Sequence, residues 1–118
     1  KYFIYRGAVE LYSAMVAYFN TFHWHGDTFS IPPNATPLFR SEGCANQGFV
    51  WGEKAVALQF HPEITPETSA SWIEHGEAEL QPGPYVQSPE QIRGTPEDYL
   101  MNNGWIEHLC RGLIDRIQ

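Results

Sequence analysis

The sequence predicts an α/β fold, a layered sheet with flanking helices, on three observations. Short runs rich in aromatic and β-branched residues are bounded by Gly, Pro and Asn. Two later segments open on Thr-Pro followed by an acidic residue, which is how helices begin. The composition is 42% apolar and 14% aromatic, enough to fill a core. A length of 118 residues fits one small domain or part of a larger one.

In chain order, Gly7 to Phe19 is rich in Ala, Val, Leu and Met and is expected to form a short helix, although its apolar residues point nearly all round. Phe19 to His25 suits an aromatic strand ended by Gly26-Asp27, and Pro32-Pro33-Asn34 marks a loop. Thr36 to Ser41 reads as a further strand. Gly48 to Trp51 and Ala55 to Phe60 read as a hairpin around Gly52-Glu53-Lys54. Ala55 to Phe60 is nearly continuous in apolar character, as in a strand buried on both faces.

A helix is expected from Pro66, with Thr65 as its N-cap, Glu67 in its first turn and its end near Gly76. Gln81 to Gly94 holds three prolines and two glycines and reads as a surface loop. The last helix is capped by Thr95, starts at Pro96 and carries Glu97 and Asp98 at the positive end of its dipole. Ile106, Leu109, Cys110, Leu113, Ile114 and Ile117 form its apolar stripe, which makes Cys110 a core cysteine. Trp72 and Trp105 are expected to pack helices onto the sheet, and Glu74, Glu77 and Glu79 to face solvent.

The formal charge of −7, with only 7 basic residues and no run of them, argues against nucleic acid and anionic membrane as partners. No apolar run reaches the ~18 residues that cross a bilayer. Cys44 and Cys110 lie far apart and make no disulfide framework, which favours a reducing cytoplasm. The chain begins without Met and is expected to be a piece or a processed form of a longer protein.

The chemistry concentrates in Gln59-Phe60-His61-Pro62-Glu63. A strand that delivers a histidine at its carboxyl end places it at the rim of the sheet, where ligands bind in α/β folds. Pro62 stiffens the turn. Residues two apart in extended chain point the same way, so Glu63 can reach one nitrogen of the His61 ring and fix its tautomer, the task of the third member of a nucleophile–base–acid triad. On these residues alone, a buried histidine packed after a strand, with Glu63 capping a helix, stays open as the alternative.

Phe60-His61-Pro62-Glu63 resembles the signature of class I (triad) glutamine amidotransferases, and it does not stand alone. Phe22-His23-Trp24-His25-Gly26-Asp27-Thr28-Phe29 resembles the family's His-Gly-Asp segment, followed by a proline-rich loop and by Ser41-Glu42-Gly43-Cys44-Ala45-Asn46-Gln47-Gly48-Phe49. The resemblance runs in order over residues 11–80 and more loosely over residues 81–118, which hold the loop and last helix. Residues 1–10 are left unassigned. It is nearest to small stand-alone amidotransferases related to the glutaminase part of GMP synthase. It implies the carboxy-terminal half of a flavodoxin-like layered sheet.

The resemblance further implies His61 as general base, Glu63 as its orienting carboxylate, and Trp24, His25 and Gly26 along a glutamine pocket. It implies glutamine as substrate, no cofactor, and ammonia passed to an acceptor domain or a separate synthetase. The family's nucleophile sits in a Gly-x-Cys-x-Gly elbow, and neither cysteine here matches it. The chain alone is therefore expected to be inactive. It is also expected to pair with its missing amino-terminal half or a second copy through an exposed strand edge. Three rivals remain: a metal site from His23, His25, Asp27, His61 and His75; a non-catalytic binding or oligomerisation module on the same scaffold; and a related γ-glutamyl hydrolase.

Overall fold

The computed structural model of the chain describes residues 2–11 and 18–117. Five strands form one sheet in the order β2-β1-β3-β4-β5: β1 is Phe3–Leu11, β2 Tyr18–His25, β3 Thr36–Arg40, β4 Gly48–Trp51 and β5 Ala55–Leu58. Every pairing between these strands is antiparallel. Helices α1 (Pro66–His75), α2 (Pro89–Arg93) and α3 (Pro96–Ile117) follow, with a short 3-10 turn over Glu77–Glu79.

The helix expected over Gly7 to Phe19 is not what forms in the described residues. Gly7–Leu11 belongs to β1 and Tyr18–Phe19 to β2, while residues 12–17 lie outside the described set. Eight register pairs from Phe3↔His25 to Glu10↔Tyr18 satisfy the backbone of both strands. Apolar residues with no helical period gave a helix nothing to bury. Ile4 and Phe22 (0% and 1% exposed) face the helices. On the other face Phe3 stacks on His25 and Tyr5 on His23, with ring centroids 4.9 and 4.3 Å apart. Gly7 leaves room for the Tyr5 ring, whose nearest carbon would lie 2.5 Å from a Cβ there.

The hairpin forms as expected, turning through Gly52 at φ 66°. Its second strand is shorter and less buried than its apolar run suggested. β5 is an edge strand ending at Leu58, with Ala55 exposed and Val56 to Leu58 half-buried; Phe60, beyond the strand, is the buried residue. From there the chain crosses toward the opposite edge of the sheet. Gln59 N–H donates to the Gln47 carbonyl and His61 N–H to the Phe22 carbonyl, each at 2.9 Å.

Helix α1 begins and ends as its caps predict. Thr65 Oγ1 accepts from Thr68 N–H, Pro66 opens the first turn and Gly76 closes the last. The loop expected over Gln81 to Gly94 contains α2, whose Ser88–Gln91 capping box nucleates a helix of 5 residues. So short a helix persists through packing rather than propensity. Ile92 is fully buried in the first core cluster, with Ile4, Phe22, Ile64, Ile73 and Tyr99, and its carbonyl accepts from Arg6 Nε at 3.1 Å.

Helix α3 is anchored through its first half. Asn102 Nδ2 donates to the Asn20 carbonyl of β2 at 2.8 Å, and Trp105 packs edge-on against Phe39 of the second cluster at 5.7 Å. Trp72 likewise packs edge-on against Phe22. The expected apolar stripe is only partly covered: Ile106, Leu109 and Leu113 are half-buried, whereas Ile114 is 52% exposed and Cys110 is exposed rather than in the core. Leu109 and Leu113 stand over an open groove against Leu38, Val50 and Val56, because the short strands β3 to β5 do not extend under the outer side of the helix. Among the described residues no helix is long and apolar enough to cross a membrane.

Candidate active site

His61 and Glu63 flank the buried Pro62 in the turn between β5 and α1, and their side chains meet. His61 Nδ1 lies 3.0 Å from Glu63 Oε2. A carboxylate only accepts, so Nδ1 carries a proton, and in the neutral ring Nε2 is then the nitrogen with the lone pair. The side chains are 28% and 55% exposed, open enough for a reactant to approach. Partial burial pushes the Glu63 carboxyl up. The hydrogen bond from His61, one with its own backbone N–H and attraction to the imidazole outweigh this and leave it below its usual range.

Two aromatic rings brace the imidazole. Trp72 of α1 stands edge-on to it at 4.9 Å, and Phe22 of β2 at 6.5 Å. Trp72 is itself edge-on to Trp24 at 6.1 Å. Trp24, His25 and Gly26 line one open pocket with Tyr2, Asp27 and Glu79. The structure thus forms two adjoining groups: the His61–Glu63 pair, and the pocket that holds the other three sequence-predicted residues. Trp72 links them, and His61 does not itself line the pocket.

His25 Nδ1 donates to the Asp27 carbonyl at 2.8 Å, which closes the Gly26 turn. Burial and the nearby His61 lower the His25 pKa, against the Asp27 carbonyl and carboxylate, which raise it. His23 sits deeper, at 0% exposure, and burial with the neighbouring His25 lowers its pKa to about 3. It is a neutral packing residue at any ordinary pH.

Glu79, expected in solvent, instead accepts from Trp24 Nε1 at 3.1 Å and is half-buried. Its chain position carried no signal of this, since the bond spans 55 residues. Gly76 lets that indole lie against the end of α1, because a Cβ would stand 2.4 Å from the Trp24 ring. Cys44 is 7% exposed in the loop after β3, with its sulfur 3.3 Å from Thr28 Oγ1. Both cysteines are unpaired. Among the described residues no three His, Cys, Asp or Glu side chains converge on a point that could hold a metal ion.

Comparison with known proteins agrees on one family. The family model for glutamine amidotransferase class-I matches residues 4–77, which takes in most of the first ten residues that the motifs alone left unassigned. The glutamine amidotransferase-like protein YfeJ of Salmonella typhimurium is 34% identical over 86 residues, covering 70% of this chain and 36% of that protein. A crystal structure of a glutamine amidotransferase from Methylobacillus flagellatus superposes with a TM-score of 0.86 at 29% identity, over 96% of this chain and 52% of that one. One from Thermotoga maritima gives 0.68 at 35% identity, over 96% and 49%. The chain spans about half the length of these solved structures and about a third of the curated relative. The chain belongs to the class I glutamine amidotransferase family.

Proposed function

We propose that the protein to which these residues belong hydrolyses the side-chain amide of glutamine and passes the ammonia to an acceptor, with His61 as general base and Glu63 holding its tautomer. The observation that carries this reading is the 3.0 Å bond between His61 Nδ1 and Glu63 Oε2 in a solvent-reachable turn of a family member. It leaves Nε2 free to take a proton from a thiol.

The thiolate adds to the amide carbon, the carbon–nitrogen bond breaks, and the imidazolium returns its proton to the leaving ammonia. The same nitrogen then takes a proton from water. The resulting hydroxide attacks the thioester, the carbon–sulfur bond breaks to release glutamate, and the imidazolium returns its proton to the leaving thiolate. Trp24, His25 and Gly26 form the wall against which the amino-acid end of glutamine would lie. The pocket's openness and the exposed Gly26 support this placement.

The thiol comes from chain beyond these residues. Cys44 is turned toward Thr28, and Cys110 lies on the outer half of α3. The order of motifs favours an enzyme like the glutaminase part of GMP synthase, working beside a synthetase or acceptor domain, and two cysteines outside any disulfide framework favour the cytoplasm.

The test is glutamate release by the full-length protein and by the 118-residue chain alone. Release by the former and none by the latter is expected. Turnover by the short chain that disappears in Cys44→Ser or Cys110→Ser would overturn the assignment of the thiol. No release by the full-length protein would leave the scaffold as a binding module. Release from γ-glutamyl amides other than glutamine, and not from glutamine, would make it a γ-glutamyl hydrolase.

A further inference from the structure

The turn that carries His61 and Glu63 is stitched to the rest of the molecule from two sides. On one side, His61 N–H donates to the Phe22 carbonyl of β2 at 2.9 Å. On the other, the side-chain amide of Asn103, some 40 residues further along on α3, lies 2.8 Å from the Pro62 carbonyl and 2.9 Å from the Ile64 carbonyl. These two carbonyls bracket Glu63. An asparagine amide has two N–H donors, and here each has an acceptor. The burial pattern follows the bonds: Pro62 is buried, Ile64 is 2% exposed, and Glu63 between them stands outside.

The helix that carries Asn103 is fixed in turn. Its neighbour Asn102 donates to the Asn20 carbonyl of β2 and to the Asp98 carbonyl, each at 2.8 Å. Strand β2, helix α3 and the 61–64 turn therefore close a triangle of main-chain acceptors. Asparagine is a weak helix former, because its amide competes for backbone groups. Two in succession within α3 work against the helix locally, and both amides are engaged on main-chain carbonyls.

We infer that Asn103 is a positioning residue for the His61–Glu63 pair. By holding the carbonyls on both sides of Glu63, it sets the backbone from which that carboxylate reaches His61 Nδ1. This rests on the reading of His61 as the base. A displacement of the carboxylate by about 1 Å would release the tautomer and cost turnover steeply.

The experiment compares Asn103→Ala with Asn102→Ala in the full-length protein. Each removes an α3 asparagine amide bonded to two main-chain carbonyls, so both should lower the melting temperature to a similar degree. Only Asn103→Ala should shift the ring-nitrogen NMR signals of His61 from a fixed Nδ1–H form toward a mixture. It should lower kcat by about 10- to 100-fold with KM within about twofold. If Asn103→Ala does not fold, Asn103→Leu keeps the side-chain size and branching, removes both donors without adding charge and is read the same way.

Unchanged His61 signals in the Asn103 variant, or an equal change in Asn102→Ala, would overturn the inference and leave Asn103 a packing residue. A change in the signals, in a protein whose turnover is indifferent to His61→Ala, would uphold the clamp and reject the proposed base instead.

Discussion

Two imidazoles on this scaffold, His23 on β2 and His61 after β5, occupy opposite surroundings. His23 is fully buried, stacked on Tyr5 and next to another histidine, and its pKa falls to about 3. His61 is partly open to solvent and has a carboxylate on one nitrogen, with aromatic edges on its flanks. The difference lies in where the chain leaves each residue. His23 is in mid-strand, where a side chain must lie on one face of a sheet, whereas His61 is in a turn at the rim. Desolvation removes the proton chemistry of the first, and a fixed tautomer in reach of solvent suits the second to the proposed role of base.

The sharpest way to break this comparison is to exchange the consequences of losing each ring. His61→Ala should reduce glutamate release by the full-length protein about 10²- to 10⁴-fold, with little change in melting temperature. Substantial turnover remaining in that variant would remove the base from the site. His23→Ala should instead cost about 2–5 kcal/mol of stability, as expected for emptying a fully buried position, measured by urea unfolding.

Acid sensitivity sharpens the contrast further. The folded state binds a proton at His23 only near pH 3, whereas the unfolded chain binds it near 6.5. The unfolded state therefore holds more protons in that window. Stability should fall as pH drops from about 6.5 toward 3, by up to about 1.4 kcal/mol per unit from this residue. His25, whose pKa is also lowered, adds to the slope with the same sign. The depressed Glu63 carboxyl works below a different point. Its stabilisation is intact above the ordinary value of 4.5 and is lost as pH falls through its lower folded value. Between pH 6.5 and 5 the slope therefore belongs to the buried histidines. It should flatten markedly in His23→Ala and hardly at all in Glu63→Gln, as read from unfolding midpoints at several pH values.

The smallest effect expected is at the Glu107–Arg111 pair on α3, which is 2.7 Å long but largely exposed on both sides. Glu107→Ala should change stability by less than about 0.5 kcal/mol, because solvent screens such pairs. A larger loss would mean that the outer half of α3 is covered in solution.

Features set within about four residues along the chain were legible in the amino-acid order: the Thr65 and Thr95 helix starts, the Gly52 turn, and the reach of Glu63 to His61 across a single proline. Each is a local hydrogen bond or a restricted dihedral, and its energetics are present before the chain folds. Features that need a distant partner were not legible. Gly7–Leu11 became strand because β2 offered backbone partners, and the Ser88 helix survives because Ile92 has a core to enter. Glu79 found the Trp24 indole, and Asn103 found the carbonyls beside Glu63. Cys110 lies on an apolar stripe that the short strands do not reach.

The sequence by itself determined where the candidate site would form, because a histidine, a proline and a glutamate in succession specify a geometry within one turn. Only the tertiary structure decided which of the histidines could use it. Burial and solvent access depend on what packs over a residue, and that is settled by chain far away in sequence.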